Sequence, residues 1–359
     1  MTVAWFDGFK LHGLFEGMYA SYAVVFVVLV VVIKFALSEI SSSDKPRGKR
    51  VPPVDDTVLY PYGVAEMQGK RPYMEDRYAV AGKLNGDAFA SFYGVFDGHG
   101  GDGASEYCVE ALCNNITSDP AYPSDPKQAL TRGFIKTDSD YIKLADRYHK
   151  DDGTTAIGVL VQGNTIHVAN VGDSRAVLIK KNGDAVALSV DHKPNRQDER
   201  ERVNNMGGHV IFWGVWRVEG ILAVSRAIGD RMLKPYVIAE PEIVDIQRTD
   251  ADQAIVLASD GVWDVLSNAE VARLVRQSES PQLAAKTIME YAYQRGSLDN
   301  ICALVIDLAR GNSGLAPAPQ EAKPSVNNSS SGARGLALVE EDTEEPLETD
   351  SSVVTAELD

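Results

Sequence analysis

The sequence contains few residues of the types that form disulfides or bind soft metal ions. Its 359 residues include only three cysteines, Cys108, Cys113 and Cys302, and six histidines. An odd number of cysteines in this spacing excludes a disulfide framework and does not match a zinc site. We therefore expect free thiols and a reducing compartment.

Positive charge is also scarce. The chain has 35 lysine and arginine residues against 51 aspartate and glutamate residues, so its formal net charge is −16. Such a chain cannot neutralise a phosphate backbone broadly, which argues against nucleic-acid binding. The sequence also lacks the G-x-x-x-x-G-K-[ST] element of a P-loop kinase or nucleotidase.

One long uncharged run lies near the N-terminus. Residues 17–33 carry no charge, and after Lys34 the apolar stretch continues to Leu37. This length is sufficient to span a bilayer, with the Lys34 side chain reaching the interface. Basic residues follow at Lys45, Arg47, Lys49 and Arg50. By the positive-inside rule, they predict a single-pass membrane protein in which everything after residue 40 is cytoplasmic.

Composition divides the chain into five segments. We predict an N-terminal lead (1–16), a transmembrane helix (17–37), a basic linker (38–56), a globular domain (57–310) and a disordered tail (311–359). The tail holds ten acidic and two basic residues, a composition typical of disorder. A cleaved signal peptide is the alternative for the apolar run, because Ala36-Leu37-Ser38 resembles a cleavage site.

The globular segment is predicted to be an α+β fold. Runs rich in β-branched residues predict strands at 156–161, 165–171, 176–179, 255–258 and 301–308. Helical patterns occur at 103–115, 126–144, 268–277 and 281–295. The short connections 162–164 and 172–174 predict hairpins. We therefore expect two antiparallel sheets packed as a sandwich between helix layers.

Acidic residues recur where apolar runs end or glycine turns begin. The most informative motif is Asp97-Gly98-His99-Gly100-Gly101, which places a carboxylate beside a proton donor. Further acids occupy comparable positions: Glu75, Asp76, Asp173, Asp230, Asp260, Asp264 and Asp299. Each alone is an ordinary turn residue. Together they form an oxygen-only donor set, which favours Mg²⁺ or Mn²⁺ and suits phosphoryl chemistry.

In their order, these motifs resemble the metal-dependent serine/threonine protein phosphatases of type 2C, the PPM family. The resemblance covers residues 62–308. The matching segments are RPYMED (71–76), VFDGHGG (95–101), DGTTA (152–156), VGDSR (171–175), LAVSRAIGD (222–230), ASDGVWD (258–264) and SLDN (297–300). The segment 191–216 is most similar to plant or protist members. The resemblance implies that family's sandwich of two antiparallel sheets.

The resemblance also implies a set of metal ligands. Asp97 would bridge two Mg²⁺ or Mn²⁺ ions. The Gly98 carbonyl, Asp260 and Asp299 would complete direct ligation, with Glu75 and Asp76 acting through bound water. Asp173 and Asp264 match the positions of a weaker third ion, beside Thr154.

The implied reaction is hydrolysis of phosphoserine and phosphothreonine on proteins. Arg71 would bind the substrate phosphate, and His99 would protonate the departing oxygen as general acid. A hydroxide bridging the metals would be the nucleophile. The expected partners are phosphoprotein substrates and, through residues 17–37, the membrane, with a monomeric catalytic domain.

Two alternatives concern partners. A non-catalytic, membrane-anchored scaffold that binds phosphoproteins could use the same fold, but the complete ligand set argues against it. Trp213 matches a position that receptor-binding plant relatives use to contact their receptor. We favour the simpler interpretation that Trp213 packs on its local loop.

Overall fold

Two five-stranded antiparallel sheets form the centre of residues 57–311, the part of the chain that the computed structural model describes. Sheet 1 consists, in spatial order, of β1 (Tyr62–Met67), β15 (Ile301–Asp307), β14 (Asp252–Ala258), β8 (Arg175–Lys180) and β9 (Ala185–Ala187). Sheet 2 consists of β13 (Glu242–Gln247), β7 (Thr165–Val171), β6 (Ala156–Gln162), β3 (Ala90–Phe96) and β2 (Arg77–Gly82).

Two small sheets complete the strands. A three-stranded sheet joins β12 (Ile228–Gly229), β5 (Gly153–Thr154) and β4 (Gly98–His99). A two-stranded ribbon consists of β10 (Val210–Trp213) and β11 (Val215–Val218).

Six α-helices occur in residues 57–311. Their bounds are α1 (Gly103–Thr117), α2 (Pro126–Tyr148), α3 (Gln197–Asn205), α4 (Asp260–Trp263), α5 (Asn268–Arg276) and α6 (Pro281–Gln294). Local sequence explains the starts of the longer ones. The Asp125 carboxylate accepts the Gln128 N–H before Pro126, and Ser267 and Glu270 form a capping box at α5.

The layers are held by three apolar clusters. Side chains from both sheets, such as Tyr93, Ile157, Leu257 and Leu304, fill the space between them. Helices α1 and α2 cover the outer face of sheet 2, and α5 and α6 cover the outer face of sheet 1. The predicted α+β sandwich with helix layers is therefore confirmed for the described residues.

Antiparallel register brings the loops that carry the acidic motifs to one end of the sandwich. In sheet 2, the end of β3 lies opposite the start of β2, and the end of β7 opposite the start of β6. In sheet 1, the end of β14 lies opposite the start of β8, and the end of β1 opposite the start of β15. The connection 172–174 joins the two sheets at this end, because it links β7 to β8.

The predicted elements are largely confirmed, with two corrections. Connection 162–164 forms a hairpin, but 172–174 does not, because β7 and β8 belong to different sheets. Trp213 does not pack on its local loop either: it lies at the tip of the ribbon and is 77% exposed. Sequence reasoning did not identify α3, β13 or the ribbon.

Several predictions fall on residues that the structure does not describe. These are the lead (1–16), the transmembrane helix (17–37), the basic linker (38–56) and all of the tail beyond Gly311. Within residues 57–311, none of the helices is long and apolar enough to cross a membrane.

Candidate active site

The centre of the candidate site is a cluster of three carboxylates from three loops. Asp97 follows β3, Asp173 lies between β7 and β8, and Asp260 begins α4 after β14. One carboxylate oxygen of each lies within 4.8 Å of those of the other two. Burial raises the pKa values of Asp97 and Asp260 well above their ordinary range, and the neighbouring carboxylates raise them further. A divalent cation would offset this repulsion.

Asp76 lies at the inner side of this cluster. It is only 1% exposed, and its Oδ2 accepts a hydrogen bond from the Ser259 hydroxyl at 2.7 Å. Its Oδ1 is buried and has no hydrogen-bond partner among residues 57–311. Burial raises its pKa to about 7, and the charges of Asp260 and Asp299 act in the same direction. A buried oxygen without a donor is suited to a cation or its hydration shell.

The remaining acidic residues border the cluster. Burial raises the pKa values of Glu75 and Asp264, and a second carboxylate near each contributes. Asp173 forms an ion pair with Lys193, which sequence reasoning did not single out. Gly98 leaves no room for a side chain, because a Cβ there would lie 2.6 Å from the Glu75 carbonyl oxygen.

Arg71 lies at the outer edge, where its Nη2 is 2.6 Å from the Asp299 Oδ2. The Arg71 side chain is 54% exposed, so its guanidinium can reach a ligand from solvent. The Asn300 side chain holds the loop that carries Arg71 through hydrogen bonds to its backbone. The Asn300 Nδ2 donates to the Gln68 and Tyr73 carbonyls at 2.8 Å each, and its Oδ1 accepts the Glu75 N–H at 2.7 Å.

His99 forms a close pair with Asp230. The His99 Nε2 lies 2.9 Å from both carboxylate oxygens of Asp230. Burial lowers the pKa of His99, but the Asp230 carboxylate outweighs it, so the net direction is upward. The Asp230 carboxylate therefore favours the protonated form of the imidazole. Sequence reasoning noticed Asp230 only as one more turn acid; its position at the end of the SRAIGD segment was the available signal.

The structure thus brings most of the predicted site residues to one location. Asp173 and Asp260 lie together with Asp97, and the assignment of Asp173 to a third, weaker ion stays a prediction. The donors are carboxylate oxygens, and the buried Asp76 Oδ1 has no hydrogen-bond partner among residues 57–311. The residues therefore fit Mg²⁺ or Mn²⁺. The cluster is suited to hold the metal, and Arg71 and His99 flank it with a guanidinium and an imidazole.

The carboxylate cluster at one end of this two-sheet sandwich offers the oxygen donors that hard divalent cations favour. Comparison with known proteins is more specific. The family described as protein phosphatase 2C matches residues 60–301. The chain therefore belongs to the protein phosphatase 2C family, and residues 60–301 are its protein phosphatase 2C domain.

Individual relatives agree with this assignment. The chain is 46% identical over 244 residues to probable protein phosphatase 2C 52 of Oryza sativa subsp. japonica, covering 68% of this chain and 50% of that protein. It is 47% identical over 245 residues to probable protein phosphatase 2C member 13, mitochondrial, of the same species, covering 68% and 67%. The chain thus spans about half the length of the first of these relatives.

A solved structure shares the fold. Serine-threonine phosphatase 2C from Toxoplasma gondii matches with a TM-score of 0.63 and 25% sequence identity, covering 69% of this chain and 94% of that chain.

Proposed function

We propose that this protein hydrolyses phosphoserine and phosphothreonine on proteins with Mg²⁺ or Mn²⁺. The observation that supports this most directly is the Asp97, Asp173 and Asp260 cluster, whose carboxylate oxygens lie within 4.8 Å of one another. Asp76, Glu75, Asp264, Asp299 and the Gly98 carbonyl complete the donors around it. Bound divalent ions would supply a nucleophile from water and neutralise charge on the phosphate oxygens.

Arg71 binds the substrate phosphate in this proposal. A guanidinium presents paired N–H donors that match two phosphate oxygens. The exposed Arg71 side chain lies beside Asp299 at the rim of the acidic cluster. It therefore orients the phosphorus toward the cluster while the protein part of the substrate remains in solvent.

His99 acts as the general acid. An alkoxide from serine or threonine is a poor leaving group, so the P–O bond breaks readily only when a proton reaches the leaving oxygen. Asp230 favours the protonated form of the imidazole and fixes its orientation. The products are the free hydroxyl and inorganic phosphate.

The reaction is tested with the full chain and a phosphothreonine peptide. We expect phosphate release with Mn²⁺, no release with EDTA, and a loss of about 100-fold or more in kcat for Asp97→Asn, since this removes a central charged donor. Asp140→Asn, a substitution on α2 where the carboxylate pairs with Lys136 and Lys143, serves as the control and should leave activity unchanged. Activity that survives both EDTA and Asp97→Asn contradicts the proposal. Peptide binding without turnover would favour the scaffold alternative.

We also propose that residues 17–37 anchor the protein as a single span, with the catalytic domain on the cytoplasmic side. The uncharged run and the basic residues after it support this. Protease added to sealed vesicles with their cytoplasmic face outward should digest the catalytic domain. Protection of that domain, or extraction of the full chain by alkaline carbonate, would contradict the proposal.

A further inference from the structure

Asp138 contacts the loop that carries Asp230, although it lies on helix α2 and touches none of the acidic cluster. Its Oδ1 accepts the Gly229 backbone N–H at 2.8 Å and a hydrogen bond from the Lys234 Nζ at 3.0 Å. The Asp138 side chain is 17% exposed, so both contacts are largely shielded from water. The carboxylate thus joins α2 to both sides of one turn.

The turn that Asp138 contacts has an uncommon backbone conformation. Gly229 has a φ of 92° and Asp230 a φ of 50°, so a non-glycine residue occupies the left-handed region. Few L-residues adopt this conformation, although aspartate does so more readily than most, and surrounding contacts hold it here. The contacts here are the Asp138 carboxylate, the bond from Asp230 N–H to the Asp152 carbonyl at 3.1 Å, and the pairing of β12 with β5.

This conformation determines where the Asp230 carboxylate points. Gly153 lies directly beneath it, since a Cβ on Gly153 would be 2.0 Å from the Asp230 Oδ2. Both Asp230 oxygens then lie 2.9 Å from the His99 Nε2. His99 itself pairs with Gly153 through β4 and β5. A continuous set of contacts therefore runs from α2 through residues 229–230 to the imidazole.

We propose that Asp138 is a positioning residue for proton transfer by His99. It holds the 229–230 backbone so that Asp230 directs the imidazole toward the leaving oxygen. This inference rests on the proposed function, in which His99 is the general acid. Proton transfer depends steeply on geometry, so a small displacement of the imidazole lowers the rate of the step that needs the proton.

The test compares two substrates that differ in leaving group. A phosphothreonine peptide releases an alkoxide, which needs a proton, whereas p-nitrophenyl phosphate releases a stable phenolate, which does not. For the full chain with Asp138→Ala, we expect kcat on the peptide to fall by about 10- to 100-fold, the range for a misplaced acid. On p-nitrophenyl phosphate we expect a loss of less than about 3-fold, because binding and the acidic cluster are unchanged.

Two matched variants accompany this measurement. Asp138→Asn keeps an oxygen for the Gly229 N–H but loses the charge that pairs with Lys234, so it should recover part of the activity on the peptide. If Asp138→Ala does not fold, the comparison of the two substrates is made with Asp138→Asn instead. Asp140→Asn makes the same chemical change two positions along α2, where the carboxylate pairs with Lys136 and Lys143 at the surface, and should behave as the parent.

The outcomes distinguish this inference from the proposed function. His99→Ala should show the same dependence on the leaving group. If it does and Asp138→Ala loses activity equally on both substrates, or loses none, the positioning role is wrong and the general acid stands. If His99→Ala shows no dependence on the leaving group, the assignment of the general acid is wrong and the positioning role falls with it.

Discussion

At the scale of single residues, side chains that are not among the proposed metal ligands also shape the site. Asn300 uses both amide donors and its carbonyl oxygen on three backbone groups of residues 68–75. This loop contains neither helix nor strand between β1 and β2. Asn300 therefore replaces the backbone ladder that would otherwise hold Arg71 and Glu75.

Asn300→Asp tests that role with little change in shape. The variant loses both donors and places a carboxylate against the Gln68 and Tyr73 carbonyls. We expect the free energy of unfolding to fall by about 1–3 kcal/mol, the cost of leaving buried groups unpaired. Urea unfolding measures this. Equal stability of variant and parent would show that these hydrogen bonds do not hold the loop.

Arg71→Ala tests phosphate binding. Charge-assisted hydrogen bonds contribute about 1.5–3 kcal/mol, so the inhibition constant of inorganic phosphate should rise about 10- to 100-fold. Arg71→Lys keeps the charge without the paired donors. Its inhibition constant for phosphate should lie between those of the parent and Arg71→Ala. An inhibition constant that does not change in Arg71→Ala would contradict the role of Arg71.

At the scale of elements, the crossing from β7 to β8 is decisive because it places Asp173. Gly172 begins this crossing with a φ of 100°, and a Cβ there would lie 2.6 Å from the Thr155 Cβ. Its N–H donates to the Nδ1 of the buried His192 at 3.1 Å. The crossing therefore has one conformation, which aims Asp173 at Asp97.

Gly172→Ala should disturb both folding and the site. We expect a loss of about 1–3 kcal/mol in the free energy of unfolding from backbone strain, together with weaker Mn²⁺ binding in calorimetry. The matched control is Gly163→Ala in the β6–β7 hairpin. Gly163 also has a positive φ, of 59°, but has open space around it. That variant should lose stability without losing Mn²⁺ affinity; equal effects on Mn²⁺ affinity would refute the interpretation.

At the scale of the whole molecule, the acidic cluster sets a stability that depends on pH and on metal. Burial raises the pKa of Asp76 to about 7 and those of Asp97 and Asp260 well above their ordinary range. These groups bind protons more tightly in the folded state than in the unfolded chain. Without metal, their contribution to stability is therefore greatest at low pH and declines as the pH rises, and for Asp76 this decline runs from about pH 4 to about pH 7.

Asp76→Asn removes one of these charges. In EDTA at pH 8 we expect the variant to be more stable than the parent by about 1–3 kcal/mol, and the difference should shrink toward pH 5, where the parent carboxyl is protonated. Excess Mn²⁺ should favour the parent instead, because the cation then neutralises the carboxylate. Urea unfolding at the two pH values measures the difference; a difference independent of pH would contradict this account.

Local pattern was sufficient to predict most elements of the sandwich. The periodicity of apolar residues and the turn residues between them predict the strands β6, β7, β14 and β15 and the helices α1, α2, α5 and α6. Helix α3 was not predicted because its sequence is almost entirely polar. The ribbon was not predicted because its aromatic residues are exposed. The transmembrane helix, the cytoplasmic side and the monomeric state remain predictions.

The sequence by itself determined the family and the chemistry of the donors, because the order and type of the motifs are written in it. Only the tertiary structure decided which residues meet. Asp173 joins Asp97 because residues 172–174 cross between sheets, and Asp230 meets His99 because β5 pairs with both β4 and β12. These contacts link residues far apart in the chain, and strand register, which no local pattern contains, determines them.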